Sequence, residues 1–112
     1  MSRAAVLALA LACALAAGGC AFAPKDYPRL DESRALRAGA SAEANVARFA
    51  AAELRDADEM LARAGHARDT LDDAVVVDHL AYVAKQRLAI AREAGELRAA
   101  EETMRRLQAQ ER

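Results

Sequence analysis

The sequence predicts an all-α protein: an antiparallel helical hairpin with a long second helix, after a cleaved signal and a short tether. Three observations carry that prediction. Alanine supplies 32 of the 112 residues, and Ala, Leu, Arg, Glu and Gln are all strong helix formers. Proline occurs only at Pro24 and Pro28, so none interrupts the rest of the chain. Beyond Ser41 the apolar residues recur at helical spacing. The 16 Lys and Arg against 17 Asp and Glu leave a net charge of −1, which argues against a nucleic-acid partner, since neutralising phosphates requires a basic surface. Hydrophobic residues make up 54% of the chain, but aromatics only 4%. Side chains this small bury little area and enclose no deep catalytic pocket.

Residues 1–19 read as a lipoprotein signal peptide. Arg3 and the terminal amine precede an uncharged run from Ala4 to Ala17, which as a helix of about 21 Å is too short for a hydrocarbon core of about 30 Å. Ala17-Gly18-Gly19-Cys20 resembles a bacterial lipobox, with Ala17 where that motif usually carries Leu. Cys20 is therefore the expected lipidation site and first mature residue, held to the membrane by palmitate-type acyl chains. The competing cut after Ala23 would leave Pro24 behind the scissile bond and give an ordinary secreted protein. Cys13 leaves with the signal, so no disulfide is expected. Ala21, rather than Asp, follows Cys20; in lipoprotein sorting that favours the periplasmic side of the outer membrane.

Residues 20–40 are assigned to the lipidated cysteine and tether, and residues 41–112 to the hairpin domain. Ala21 to Leu30 holds both prolines and shows no helical period. A short helical segment is expected over 31–40, with Asp31 or Ser33 as its cap. Ser41 is an equally good cap for the first long helix, in which Val46, Ala50, Leu54, Ala57, Leu61 and Ala64 form one stripe at spacings of 4, 4, 3, 4 and 3. Gly65 is expected to end it, with a turn at 66–69. Thr70 and Asp73 have the spacing of a capping pair for the next helix. The neighbouring aspartates do not make a calcium loop, because Val75-Val76-Val77 stands where oxygen ligands belong.

The second helix is expected from Asp73 to Glu111. Val76, Val83, Ile90, Leu97 and Met104 recur every seven residues, with Val77, Leu80, Ala84, Ala91 and Ala94 on the same broad face. Arg87 and Glu101 interrupt the second heptad position, which favours a hairpin over a continuous parallel zipper. The expected core is Leu54, Leu61, Leu80, Val83 and Ile90, with Phe49 against Tyr82. At 1.5 Å per residue this helix measures about 58 Å, against about 36 Å for the first. Its distal end overhangs, and Leu97, Met104 and Leu107, sharing one face there, are the expected interaction surface.

The run Ala52-Glu53-Leu54 with Ala57, Leu61 and Ala64, followed by Asp78-His79-Leu80-Ala81-Tyr82-Val83-Ala84-Lys85-Gln86-Arg87-Leu88-Ala89-Ile90-Ala91, resembles the DUF4398 family of bacterial envelope lipoproteins. In that family the helical region precedes an OmpA-like peptidoglycan-binding domain. Residues of that domain are not found before Arg112, so the resemblance implies an envelope helical module alone. The small helical murein lipoproteins attach through a terminal lysine, whereas this chain ends Gln110-Glu111-Arg112, and no covalent peptidoglycan link is expected.

An enzyme is not expected. His66 and His79 are 13 positions apart without a cysteine to complete a metal set, so no metal and no cofactor are expected. Ser41 and Thr70 read as caps, and no nucleophile elbow, phosphate loop or zinc-protease motif occurs. Asp78 and His79 are adjacent and point about 100° apart on a helix. The expected function is that of a helical adaptor docking an envelope protein, with self-association as a coiled-coil spacer the alternative.

Overall fold

Pro28 opens a helix rather than closing a tether. Its missing N–H and fixed φ suit the first helical position, and in the computed structural model, which describes residues 26–112, it begins α1 (Pro28–Ala42). Three more helices follow: α2 (Ala44–Phe49), α3 (Ala51–Thr70) and α4 (Ala74–Gln110). There is no strand among the described residues. The signal, Cys20 and the tether's first residues lie outside them. The folded unit therefore includes Tyr27 and the helix from Pro28 to Ala42, and the boundary drawn at residue 41 from glycine and serine content is corrected.

Partners along α4 fix the topology. Arg29 meets Asp78 near the start of α4, Glu32 and Ser33 meet Lys85 and Ala81 further along, and Glu43 meets Arg92 beyond them, so α1 runs parallel to α4. α3 runs antiparallel to it, from the Glu53–Arg98 ion pair to the turn before α4. α4 thus packs against the earlier helices as the long arm of a hairpin, with α1 as a third rod and α2 as the corner between α1 and α3.

The corner has local causes. Ser41 does not cap a helix: its hydroxyl donates backward to the carbonyls of Arg37 and Ala38, satisfying acceptors at the end of α1. Glu43 turns extended at φ −79°, ψ 115°, and Ala50 takes φ −124°, ψ 32°. α3 continues through Gly65 for five further residues. A glycine inside a helix costs only about 1 kcal/mol, which packing outweighs. The turn falls at Leu71-Asp72-Asp73, where Asp72 adopts φ 47°, a conformation that Asp tolerates. Asp73 alone caps α4, accepting from the N–H groups of Val75 and Val76. Thr70 instead donates to the carbonyl of His66.

The buried stripe of α4 is Val77, Ala81, Ala84, Leu88, Ala91 and Gly95, at spacings of 4, 3, 4, 3 and 4. It lies beside the heptad of larger residues expected from the sequence. Ile90 is exposed, Val83, Leu80 and Leu61 are half-buried, and only Leu54 of the expected core is buried. Two clusters make the core. One joins Ala40, Val46, Ala50, Leu54 and Ala57 to Leu88 and Ala91; the other joins Tyr27, Leu30, Ala64 and Ala67 to Val77 and Ala81. Ser33, buried in α1, donates to the carbonyl of Ala81 at 2.8 Å, so its burial leaves no unpaired hydroxyl.

Gly95 marks the closest approach. A Cβ there would stand 3.0 Å from the carbonyl oxygen of Asn45 and 3.1 Å from Cα of Val46, both backbone atoms that cannot swing aside. At Gly39 and Gly65 the nearest atoms, 3.9 and 3.2 Å away, are the ends of Arg92 and Arg34.

Two predictions follow from this packing. Leu88→Ala should lose about 2–5 kcal/mol in thermal or urea unfolding, while Ile90→Ala stays within about 0.5 kcal/mol of wild type. Gly39→Ala and Gly65→Ala should raise the melting temperature by relieving helical glycine, whereas Gly95→Ala should lower it.

Candidate interaction surface

The second stripe of α4 faces away from the bundle. Leu97 follows Leu88 by nine residues, two and a half helical turns, and so points to the opposite side. Leu97, Met104 and Leu107 are 60%, 56% and 50% exposed, and the structure brings all three to one open face. Val75, Tyr82 and Ile90 are exposed as well and continue that face toward the turn. Six of the seven exposed large hydrophobic residues of the described chain are thus on α4's outer side, the exception being Leu71 in the turn.

The inner stripe ends where the outer one becomes richest. About two and three turns past the level of Gly95, the bundle side carries Glu102 and Arg106, ion-paired at 3.1 Å. Arg98 makes the last ion pair between α4 and the bundle among the described residues. It donates to both oxygens of Glu53 and to the carbonyl of Phe49. Hydrogen bonding from Arg98 holds the Glu53 carboxyl below its usual range. From Thr103 to Arg112 every residue is exposed. The added helix α1 lies beside α3 rather than beyond it, so it leaves this end of α4 uncovered.

Phe49 and Tyr82 do not meet. Phe49 sits at Arg98, 16 positions or about 24 Å along α4 from Tyr82, with the Arg48 guanidinium 4.9 Å over its ring. Tyr82 instead lines a shallow depression with Arg29, Val75, Asp78 and His79. Its neighbours Glu32 and Lys85 are paired at 2.8 Å. His66 is exposed on α3, away from His79 on α4. Among the described residues no group of three or more His, Cys, Asp or Glu is placed to hold a metal ion, and no helix is long and apolar enough to cross a membrane.

At the N-terminal end of α1, Tyr27 is the lock. Its ring is buried, and its hydroxyl donates to Asp72 in the turn between α3 and α4. Sequence reasoning placed Tyr27 in the tether because two prolines flank its segment; its position just before an N1 proline was the missed signal. The hydrogen bond to Asp72, then burial, push the Tyr27 phenol up from 10.0 to about 12. A group with a raised folded pKa stabilises fully below its unfolded value and loses that contribution as pH rises through the folded one. The stability difference between wild type and Tyr27→Phe should therefore be constant below pH 10 and shrink between pH 10 and about 12, as followed by denaturant melts across that window. A difference that persists unchanged past that range would break the assignment.

Residues 28–107 match the family model described as Domain of unknown function (DUF4398). No curated protein and no solved structure matches the chain.

Proposed function

The chain belongs to the DUF4398 family, and we propose that it is a non-enzymatic helical adaptor, anchored by acylated Cys20 to the periplasmic side of the outer membrane. The observation that carries the docking role is the outer face of α4, where Leu97, Met104 and Leu107 lie open on a helix that outruns its own bundle. Isolated exposed leucines are ordinary, but a contiguous apolar stripe is a recurring sign of a protein interface. Methionine suits such a face because its flexible thioether conforms to an irregular surface. Support for the anchor is the Ala17-Gly18-Gly19-Cys20 sequence and the apolar run before it.

Both parts are open to measurement. Intact mass of the mature protein should give a chain starting at Cys20 with its acyl groups, and Cys20→Ser should abolish that mass; a product starting at Pro24 would refute the anchor. Leu97→Glu with Met104→Glu should abolish association while the bundle melts as in wild type, since neither side chain is in its core. Retained association would remove the docking role from this face.

A further inference from the structure

We propose that the outer face of α4 pairs with the same face of a second copy of this chain, antiparallel about a two-fold axis at the level of Ala91. The inference rests on the adaptor reading only in taking this face as the docking surface, and it names the partner.

The area suffices. Val75, Tyr82, Ile90, Leu97, Met104 and Leu107 are each about half exposed or more. Large apolar side chains present on the order of 100 Å² or more apiece when open, so the six supply several hundred Å² of apolar surface. A standard interface buries roughly 800 Å² per partner, a little over half of it apolar. The face runs straight from Val75 to Leu107, about 48 Å at helical rise, and no described helix crosses it.

Its polar residues select the direction. His79, Gln86 and Glu93 fall between the apolar positions, and all three are exposed or lie on the outer side. In a parallel, in-register pair Glu93 would stand against Glu93 of the second copy in the middle of the seam, a like-charge contact. Reversal about Ala91 removes it. Val75 then lies opposite Leu107 of the second copy and Tyr82 opposite Ala100, while Gln86 comes within one residue of the level of Leu97. The Tyr82–Ala100 layer sets a large side chain against a small one, and His79, Gln86 and Glu93 come within one residue of the levels of Met104, Leu97 and Ile90 rather than against their twins.

Charge agrees with that register. Lys85 comes within one residue, about 1.5 Å of helical rise, of the level of Glu96 of the second copy, and the symmetry makes this contact twice. Glu96 has no ion pair among the described residues, while Lys85 holds Glu32 at 2.8 Å and has further N–H donors to offer. The distal end of each α4 lies over the depression beside Arg29, Val75, His79 and Tyr82 of the other copy, so the overhang and the depression cover one another. An isologous two-fold pair of this kind closes on itself and leaves no unfilled face.

The test uses the full chain carrying Cys13→Ser and Cys20→Ser, so that every thiol is an engineered one and the outcome is independent of lipid at Cys20. Tyr82→Cys with Ala100→Cys should oxidise to a covalent dimer, and either substitution alone should not. Crosslinking of Leu97→Cys by itself, with failure of the pair, would indicate parallel copies and overturn the proposal. Sedimentation of the chain without engineered cysteines should give a dimer at micromolar concentration, and a monomer there would also overturn it. Glu96→Lys should weaken the dimer about tenfold, and Lys85→Glu added to it should restore pairing. An unchanged dimer in Glu96→Lys would refute the register.

Discussion

Close backbone approach between α4 and the corner helix α2 is the constraint on which the rest of the structure depends. A stripe of Val, Ala, Ala, Leu, Ala and Gly offers few large side chains to fill space, so the helices must come together until their backbones nearly touch. Gly95 against Asn45 and Val46 is the limit of that approach. Dispersion falls steeply with separation, which makes a thin alanine seam cohesive only when the gap is closed. The two clusters around Leu88 and Val77 are then held by shape more than by bulk. Ser33 fits this scheme: a small hydroxyl bonding the carbonyl of Ala81 joins α1 to α4 where a larger residue would hold them apart.

A seam made mostly of small residues defines its own register poorly, because it has few side chains large enough to penalise a slip. Charges around the seam supply what it lacks. Arg37 binds Asp58 through two nitrogens at 2.6 and 2.9 Å, fixing α1 on α3. Arg98 grips Glu53 and the Phe49 carbonyl, while Arg92 and Lys85 take Glu43 and Glu32. Exposed ion pairs contribute little stability singly. Distributed along α4, however, they penalise every slipped arrangement at several points at once. Tyr27 and Asp72 close the remaining end, tying the first residue of the bundle to the turn that leads into α4.

Fold class, the limits of α4 and its overhang were legible because they rest on local chemistry: helix propensity, absence of proline, and the acidic turn that precedes the helix. The bundle's third rod was obscured by Gly39 and Ser41, residues that weaken a helix in isolation but cost little once Leu30, Ser33 and Ala40 are buried. Which stripe of α4 faces inward was misread for a related reason. Ranking by size favours Leu80, Val83 and Ile90 as core, yet closely packed helices exclude large side chains from their line of contact. Val77, Ala84 and Ala91 were on the expected face. Leu88 was absent from it, since its role depends on the distance to α2 and α3, which periodicity does not encode. Leu97, Met104 and Leu107 share an uncovered face, although the heptad pattern assigned Leu97 and Met104 to the same stripe as the core.

That misassignment separates two demands that one heptad cannot meet. α4 carries an inner stripe made for intramolecular contact and, half a circumference away, an outer stripe of larger residues. If both served one bundle, the outer residues would be replaced by charge, as Glu102 and Arg106 replace apolar residues on the inner side beyond Gly95. Orientation adds a mechanical consequence to the proposed pairing. Were Cys20 acylated as proposed, the seven residues to Tyr27 could span at most about 25 Å, which would hold the turn end of each bundle near the bilayer. Antiparallel copies place those two ends at opposite extremes of the paired α4 helices, about 50 Å apart by helical rise. Two short tethers at opposite extremes cannot let such a rod stand upright on one membrane. A pair anchored in a single leaflet must lie along its surface, with both bundles held close to the lipid.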